Sequence, residues 1–184
     1  MDIAENSLTA QATRIELAVE ENIPADRLHA VVADNGRGMD AALLARIADP
    51  FTTSRTTRKV GLGIPLLKAA AEAANGCFSI QSAPGQGARV EVEFQHTHID
   101  RMPLGDLSST FLTLLVAHPQ IDWRFLYRAV PASAAVHEFE FESRPVVETL
   151  GGVSLTEPEI LAYLREMFRS GVGEPANQIS ISMF

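Results

Sequence analysis

The sequence predicts an α+β fold in which two-stranded hairpins alternate with helices. Residues 14–20 alternate apolar and polar side chains, and after a polar turn at 24–26 an apolar run returns at 27–33. Such alternation is typical of a half-buried strand, and two such strands joined by a short polar turn form an antiparallel hairpin. The pattern recurs at 77–94 and at 122–143. Three hairpins are therefore expected.

Helical periodicity is found before, between and after these hairpins. Residues 2–10 place Ile3, Ala4 and Leu8 on one apolar face. In the last helix, the residues from Thr156 to Glu159 have the spacing of a capping box, and Gly171 predicts the end. The other helices are predicted at 40–48, where Asp40 is the cap, at 63–75 and at 107–117.

Composition and charge exclude several functional classes. The 184 residues suit one domain, or one domain with an appendage, and carry a formal net charge of −8. No basic run is longer than Arg58-Lys59, so nucleic-acid binding is not expected. Cys77 is the only cysteine, which excludes an intramolecular disulfide and predicts a reducing compartment. The acidic start and the short apolar runs predict a cytoplasmic protein without a membrane segment.

The stretch from Asp34 to Gly63 predicts a nucleotide pocket. Asp34 ends a buried strand, and Gly36 and Gly38 follow it, so the backbone can pass close to a bound ring or phosphate. Gly61 and Gly63 then open a helix. Free N–H groups and the helix dipole converge at a helix N-terminus and attract anions. Phosphate is the expected occupant of this turn.

Two neighbouring segments carry candidate groups for nucleotide chemistry. Asp2 and Asn6 share one side of the first helix, where the Asn6 amide oxygen could bind magnesium and the Asp2 carboxylate could lie near an attacking water. Residues 52–60 are polar and cationic, and they are placed to close over a polyphosphate. An ordinary solvated helix face and an ordinary solvated loop are the alternative interpretations.

The order of these motifs resembles that of the GHKL ATPase superfamily, which includes gyrase B subunits, the heat-shock chaperone ATPase domain, the MutL proteins and histidine-kinase catalytic domains. Residues 5–10 resemble its N box, 34–38 its first glycine box, 49–53 its F box and 61–64 its second glycine box. The resemblance covers residues 1–98. It implies the Bergerat fold, a two-layer α/β sandwich with a mixed, mostly antiparallel sheet, helices on one face, and ATP between helices and lid.

The resemblance also implies roles for individual residues. Asp34 would accept a hydrogen bond from the adenine amino group, Asn6 would bind Mg²⁺, and Asp2 would be the catalytic residue. Two positions depart from the family pattern. Asp2 replaces the glutamate of members that hydrolyse ATP, and Ala88 stands where a threonine often supports the adenine-binding aspartate. The expected ATP-binding residues are Asn6, Asp34, Gly36, Gly38, Met39, Phe51, Thr52, Thr53, Arg55, Lys59, Gly61, Leu62, Gly63 and Ile64.

The second half of the chain shows no catalytic spacing. Residues 99–105 are predicted to be a linker, and 106–184 a small α+β appendage for interaction or for covering the sheet, with a loose tail after Gly173. Its hairpin allows cross-strand pairing of arginines with glutamates. His137 falls on a strand, where a structural role is expected. His96 and His98 have strand-face spacing but no evident third metal ligand.

Three functions remain open. The first is a regulatory or accessory ATPase that acts on a partner protein, with ATP and Mg²⁺ as cofactors. The second is a protein kinase of the histidine or anti-sigma serine type that phosphorylates a partner in trans, and the third is an inactive module that changes shape with ATP. The pattern also resembles small stand-alone ATPases encoded beside iron-only hydrogenase genes, which implies a hydrogenase-related or signalling partner. A homodimer is a further possibility.

Overall fold

The structure is a computed structural model in which residues 1–48, 63–133 and 135–176 are described. No helix within these ranges is long and apolar enough to cross a membrane. In chain order, the elements are α1 (Asp2–Thr9), β1 (Arg14–Asn22), β2 (Arg27–Asp34), α2 (Ala41–Ala48), α3 (Gly63–Ala73), β3 (Cys77–Ser82), β4 (Ala88–Gln95), α4 (Leu107–Ala117), β5 (Asp122–Val130), β6 (His137–Glu142), α5 (Ser143–Leu150), α6 (Pro158–Phe168) and a π-helical turn (Arg169–Gly173).

The strands form one six-stranded sheet in the order β3-β4-β2-β1-β5-β6. The three predicted hairpins are confirmed as antiparallel pairs, and β2 also pairs antiparallel with β4. The exception is the central pair β1–β5, which is parallel. The sheet is therefore mixed and mostly antiparallel, as the resemblance implies.

The six α-helices of the described residues pack on one face of this sheet. Along the register, Ile15 lies opposite Trp123, and Leu17 lies opposite both Val32 and Phe125, so these apolar side chains share that face. They pack with apolar residues of α1, α4, α5 and α6 in one core cluster. Side chains of α2 and α3 meet the same face over β2, β3 and β4. This arrangement is the predicted two-layer α/β sandwich.

The opposite face of the sheet carries rows of paired charges. Arg124 on β5 binds Glu140 on β6 at 2.7 Å and Glu16 on β1 at 3.2 Å. Further along β5, Arg128 binds Glu20 at 2.7 Å and Glu138 at 2.9 Å. The predicted cross-strand pairing is confirmed, and it extends from the last hairpin into β1.

The second half of the chain is joined to the first through this sheet. Strand β5 runs beside β1 from Arg14 opposite Asp122 to Asn22 opposite Val130. Residues 99–106 form no helix or strand. The domain division near residue 98 stays a prediction, but the hairpin of the second half is part of the same sheet as the nucleotide-pocket candidates.

Three local features of the second half differ from expectation. Helix α5 was not anticipated, although Gly151 closes it in a left-handed C-cap. The capping box is wrong, because α6 begins at Pro158 and its N-cap, Glu157, makes no side-chain cap bond. Gly171 does not end the helical path either. It lies in the π-helical turn, where it packs against the ring of Phe139.

Candidate functional site

A cavity of about 270 Å³ lies between the helices of the first half and the sheet. Its walls are largely apolar, and its polar groups come from α1, from the end of β2 and from the loop that follows β2. A mostly apolar cavity with a few convergent polar groups is typical of a small-molecule site. The apolar lining includes Ile3, Val32, Met39, Leu43, Ile47, Ile64, Ile80 and Val90, and the polar lining includes Asn6, Ser7, Asp34 and Arg37.

Asp34 presents a fixed carboxylate to this cavity. Its Oδ1 accepts a hydrogen bond from the Gly36 N–H at 2.8 Å and a longer one from the Ala88 N–H at 3.3 Å. Its Oδ2 accepts a bond from the Ser7 hydroxyl at 2.7 Å. An ionised carboxylate offers only acceptors. The site is therefore built to receive a donor group from a ligand.

The glycines after Asp34 are needed because backbone passes too close for a side chain. A Cβ atom on Gly36 would lie 2.8 Å from the Ala10 carbonyl oxygen. Gly38 has φ +66°, and a Cβ there would collide with the Ala83 carbonyl. Glycine alone fits such a position without strain. The structure therefore requires both glycines because the protein's own backbone passes close to them, and the predicted close approach of a bound ring or phosphate stays a prediction.

Neighbouring elements hold this glycine segment on both sides. The Arg37 N–H donates to the Ala10 carbonyl at 2.9 Å, and the Arg37 carbonyl accepts from the Gly85 N–H at 2.7 Å. The Met39 N–H donates to the Ser82 hydroxyl at 2.9 Å. The end of α1 and the β3–β4 turn thus fix the backbone beside Asp34.

The first helix places its two predicted groups on the side that faces the cavity and α3. Asn6 lines the cavity. Asp2 lies beside Gly63, since a Cβ built on Gly63 would be 2.8 Å from the Asp2 Cβ and 3.2 Å from its Oδ2. Gly63 is the first residue of α3. The Asp2 carboxylate therefore lies next to a helix N-terminus.

The other predicted ATP-binding residues divide into two groups. Met39 and Ile64 line the cavity, while Gly36 and Gly63 form its immediate surroundings. The remaining seven lie outside the described residues, namely Phe51, Thr52, Thr53, Arg55, Lys59, Gly61 and Leu62.

Sequence reasoning missed Ser7. This residue is 3% exposed, and its hydroxyl reaches Asp34 across the cavity edge. A signal was present, because Ser7 is one helical turn from both Ile3 and Ala4 and so lies on the apolar face of α1. A hydroxyl on a buried face needs a hydrogen-bond partner.

Within the described residues, His96 and His137 contact other protein groups. His96 is buried, and its Nε2 lies 3.0 Å from Glu21, which also accepts a bond from the Tyr127 hydroxyl at 2.8 Å. Burial and the Glu21 charge raise the pKa of Tyr127. In the part of the chain that is described, no group of three or more potential metal-ligating side chains occurs. His137 contacts the Gly171 carbonyl at 2.7 Å, which supports a structural role.

Comparison with protein families agrees with this geometry. The model of the histidine kinase-, DNA gyrase B- and HSP90-like ATPase family matches residues 1–98, which is more than half of the chain. The chain belongs to this family. The chain thus contains a GHKL ATPase domain of the histidine-kinase type, and the matched residues include α1–α3 and those that line the cavity.

Sensor kinases are among the curated relatives of this GHKL domain. The sensor protein kinase FleS of Pseudomonas aeruginosa is 41% identical over 87 residues, covering 47% of this chain and 21% of FleS. The alginate biosynthesis sensor protein KinB of the same organism is 32% identical over 89 residues, covering 48% and 15%. The chain therefore spans about a fifth or less of the length of these relatives.

Solved structures of histidine kinases are also similar to this GHKL domain. Full-length ShkA in complex with AMPPNP is 27% identical with a TM-score of 0.41, and the match covers 51% of this chain and 20% of ShkA. The catalytic domain of the histidine kinase ThkA is 21% identical with a TM-score of 0.39, covering 54% and 65%.

Proposed function

We propose that the cavity beneath α1 to α3 binds ATP and that Asp34 recognises its adenine. The observation that carries this proposal is the Asp34 carboxylate, held by three hydrogen bonds at the edge of an apolar cavity. The adenine amino group is a donor, and Asp34 is an acceptor. Guanine has a carbonyl oxygen at the equivalent ring position, and two acceptors would repel each other. The site should therefore prefer ATP to GTP.

The apolar lining of the cavity suits the faces of a purine ring. Val32 and Val90 come from neighbouring strands of the sheet, while Met39 and Ile64 come from the glycine segment and from α3. Stacking an aromatic ring among these side chains removes apolar surface from water, at roughly 25 cal/mol per Å². The base would thus be held by its faces and selected by its amino edge.

Phosphates and magnesium would lie between α1 and the start of α3. A helix N-terminus such as that of α3 carries a partial positive charge and directs its first N–H groups outward, which favours phosphate oxygens. Asn6 faces the cavity from α1, and its amide oxygen is a suitable ligand for Mg²⁺. Asn6 and Ile64 of α3 line the same cavity. Asp2, one helical turn from Asn6, lies beside Gly63, so one nucleotide could reach both groups.

We infer that the domain is a regulatory or accessory ATPase acting on a partner protein, with Asp2 orienting the attacking water. Asp2 lies beside the first residue of α3, where the phosphates are proposed to bind. Its side chain is one methylene shorter than glutamate, so its position for general-base catalysis is less favourable and slow turnover is expected. A hydrogenase-related or signalling partner, a homodimer and the compartment stay predictions.

The similarity to FleS favours a second candidate, a protein kinase that phosphorylates a partner in trans. The match to that sensor kinase is 41% identical and lies within the GHKL domain. His137 is unsuited to be an internal phosphoacceptor, because it lies on β6 and its Nε2 contacts the Gly171 carbonyl. An acceptor on another protein is consistent with this arrangement.

Calorimetric titration with a non-hydrolysable ATP analogue, with and without Mg²⁺, tests the shared proposal of ATP binding. Asp34→Asn should abolish binding while circular dichroism stays native, and Asn6→Ala should remove the tightening by Mg²⁺. Asp100→Asn is a matched control, because Asp100 is 69% exposed and is not one of the described residues that line the cavity. Unchanged affinity in Asp34→Asn would contradict the pocket assignment.

Two assays separate the candidate reactions. Phosphate release by the full chain should be slow and should fall further in Asp2→Asn if the domain hydrolyses ATP. Transfer of radiolabelled phosphate to a candidate partner, with no gain in phosphate release, would favour the kinase. Binding without either reaction would favour the inactive interaction module.

A further inference from the structure

We propose that Ser7 is a positioning residue that aims the Asp34 carboxylate at the amino group of adenine, and this inference rests on the proposed ATP-binding function. Ser7 lies on α1 next to Asn6, and its side chain is turned toward the end of β2. Its hydroxyl is the side-chain donor that reaches Asp34 among the described residues. Ser7 would act through Asp34 and would not contact the ligand's reacting atoms.

The distances indicate that the Ser7 hydroxyl donates its hydrogen bond to Asp34. A serine hydroxyl has one proton to donate. Its distance to Asp34 Oδ2 is 2.7 Å, whereas the alternative acceptor, the Ile3 carbonyl within α1, is 3.5 Å away. Hydrogen bonds to an ionised acceptor are about twice as strong as neutral ones. Because Ser7 is 3% exposed, water has little access to compete for this proton.

The hydrogen bonds that Asp34 already accepts leave few acceptor positions for a ligand. A carboxylate has about four acceptor positions. In the described part of the chain, the Gly36 and Ala88 N–H groups use Oδ1, and Ser7 uses one position on Oδ2. Counting only the contacts of the described residues, the position left is on Oδ2, the same oxygen that accepts the bond from Ser7. A single acceptor position matches a single amino donor.

The same contact joins the two proposed ends of the nucleotide site. Ser7 and Asn6 are neighbours on α1, so the bond from Ser7 to Asp34 fixes α1 relative to β2. Asn6 is the proposed magnesium ligand. Ser7 thereby links recognition of the base with the position of the metal ligand.

The test compares ATP with purine riboside triphosphate, which lacks the 6-amino group, by calorimetric titration of the full chain. The quantity measured is the ratio of the two dissociation constants. Wild type should prefer ATP, and Ser7→Ala should reduce this preference about tenfold, which corresponds to about 1.4 kcal/mol, because the Asp34 carboxylate loses the bond that holds it toward the amino group. Affinity for purine riboside triphosphate should change much less, because that ligand has no donor for Asp34.

A second variant and a matched control keep the test decisive. Ser7→Cys is nearly isosteric and has a weaker donor, so it should give an intermediate preference even if Ser7→Ala fails to fold. Thr113→Ala removes a hydroxyl of α4 that donates to the Ser109 carbonyl of the same helix at 2.7 Å, and because α4 does not line the cavity it should leave the preference unchanged.

The outcomes distinguish this inference from the proposed function. If Asp34→Asn retains ATP binding, the pocket assignment itself is wrong. If Asp34→Asn loses ATP binding while Ser7→Ala or Ser7→Cys keeps the wild-type preference, only the role of Ser7 is overturned. An equal loss of affinity for both ligands in these variants would also overturn it, because it would indicate a structural role in α1.

Discussion

The helix-covered face of the sheet contains a cavity in the first half of the chain, which we call the hollow half. In the second half, which we call the filled half, the same face is packed with aromatic side chains. Beneath α1 to α3, small and branched residues such as Val32 and Val90 line a cavity that ends at Asp34. Beneath α4 and α6, aromatic rings pack together. The Phe111 ring stacks on Phe125 at 4.4 Å and meets Phe168 edge-on at 5.0 Å.

This difference shows how one sheet can serve both binding and stability. Strand β1 pairs with β2 of the hollow half and with β5 of the filled half, so both halves share the same backbone framework. A cavity forfeits contacts between its walls, and the lost packing energy must be offset elsewhere. The aromatic cluster is the part of the molecule that can supply it. The predictions below test this division.

Phe168→Ala should have the largest effect on stability. Phe168 is 0% exposed and its ring lies within 4.9–6.3 Å of four other phenylalanine rings. Truncating such a side chain lowers the free energy of unfolding by about 3–5 kcal/mol. Urea denaturation measures this change. Tyr163→Ala on the same helix is the control, because Tyr163 is 69% exposed and should change stability by less than about 0.5 kcal/mol. Equal effects of the two would contradict the division.

Gly38→Ala, in the hollow half, should have the next largest effect on stability. Gly38 and Gly85 both have positive φ, at +66° and +74°, but only the first of the two has backbone within reach of an added Cβ. Gly85→Ala should cost about 1–2 kcal/mol from the left-handed backbone alone. Gly38→Ala should cost more, by on the order of 1–3 kcal/mol, and should also weaken nucleotide binding because the wall beside Asp34 must move. Denaturation and titration of both variants measure the difference.

Tyr127→Phe tests the bond that joins the two halves at the far end of β1 and β5. Removing the hydroxyl takes a donor from buried Glu21, which should lower the free energy of unfolding by about 1–3 kcal/mol near neutral pH. Burial and the Glu21 charge raise the pKa of Tyr127, so its contribution is present below the ordinary tyrosine pKa of about 10 and is lost as pH rises above that value. Denaturation of both proteins near pH 7 and near pH 11 should show the gap shrinking in alkali. A constant gap would contradict this assignment.

The individual helices and strands were easier to predict from the sequence than the contacts between them. The hairpins and α1 to α4 were predictable because alternation and helical periodicity are local signals. Asp34 was found because it stands at the end of an apolar strand and before two glycines. The parallel pairing of β1 with β5 was not predicted, because the local sequence of a strand does not indicate which distant strand pairs with it. The bond from Ser7 to Asp34 was missed for the same reason, since it depends on where α1 packs against β2.

The smallest effect should come from the opposite, charged face of the filled half. Arg124 and Glu140 are 37% and 49% exposed, and their closest atoms are 2.7 Å apart. A double-mutant cycle of Arg124→Ala and Glu140→Ala should give a coupling energy of about 0.2–1 kcal/mol, because water screens exposed pairs, and added salt should reduce it. Arg124 also contacts Glu16, so the cycle isolates the Glu140 contact from the rest of the row. A coupling as large as the loss in Phe168→Ala would mean that the charged face stabilises the filled half as much as the aromatic cluster does, which would contradict the division.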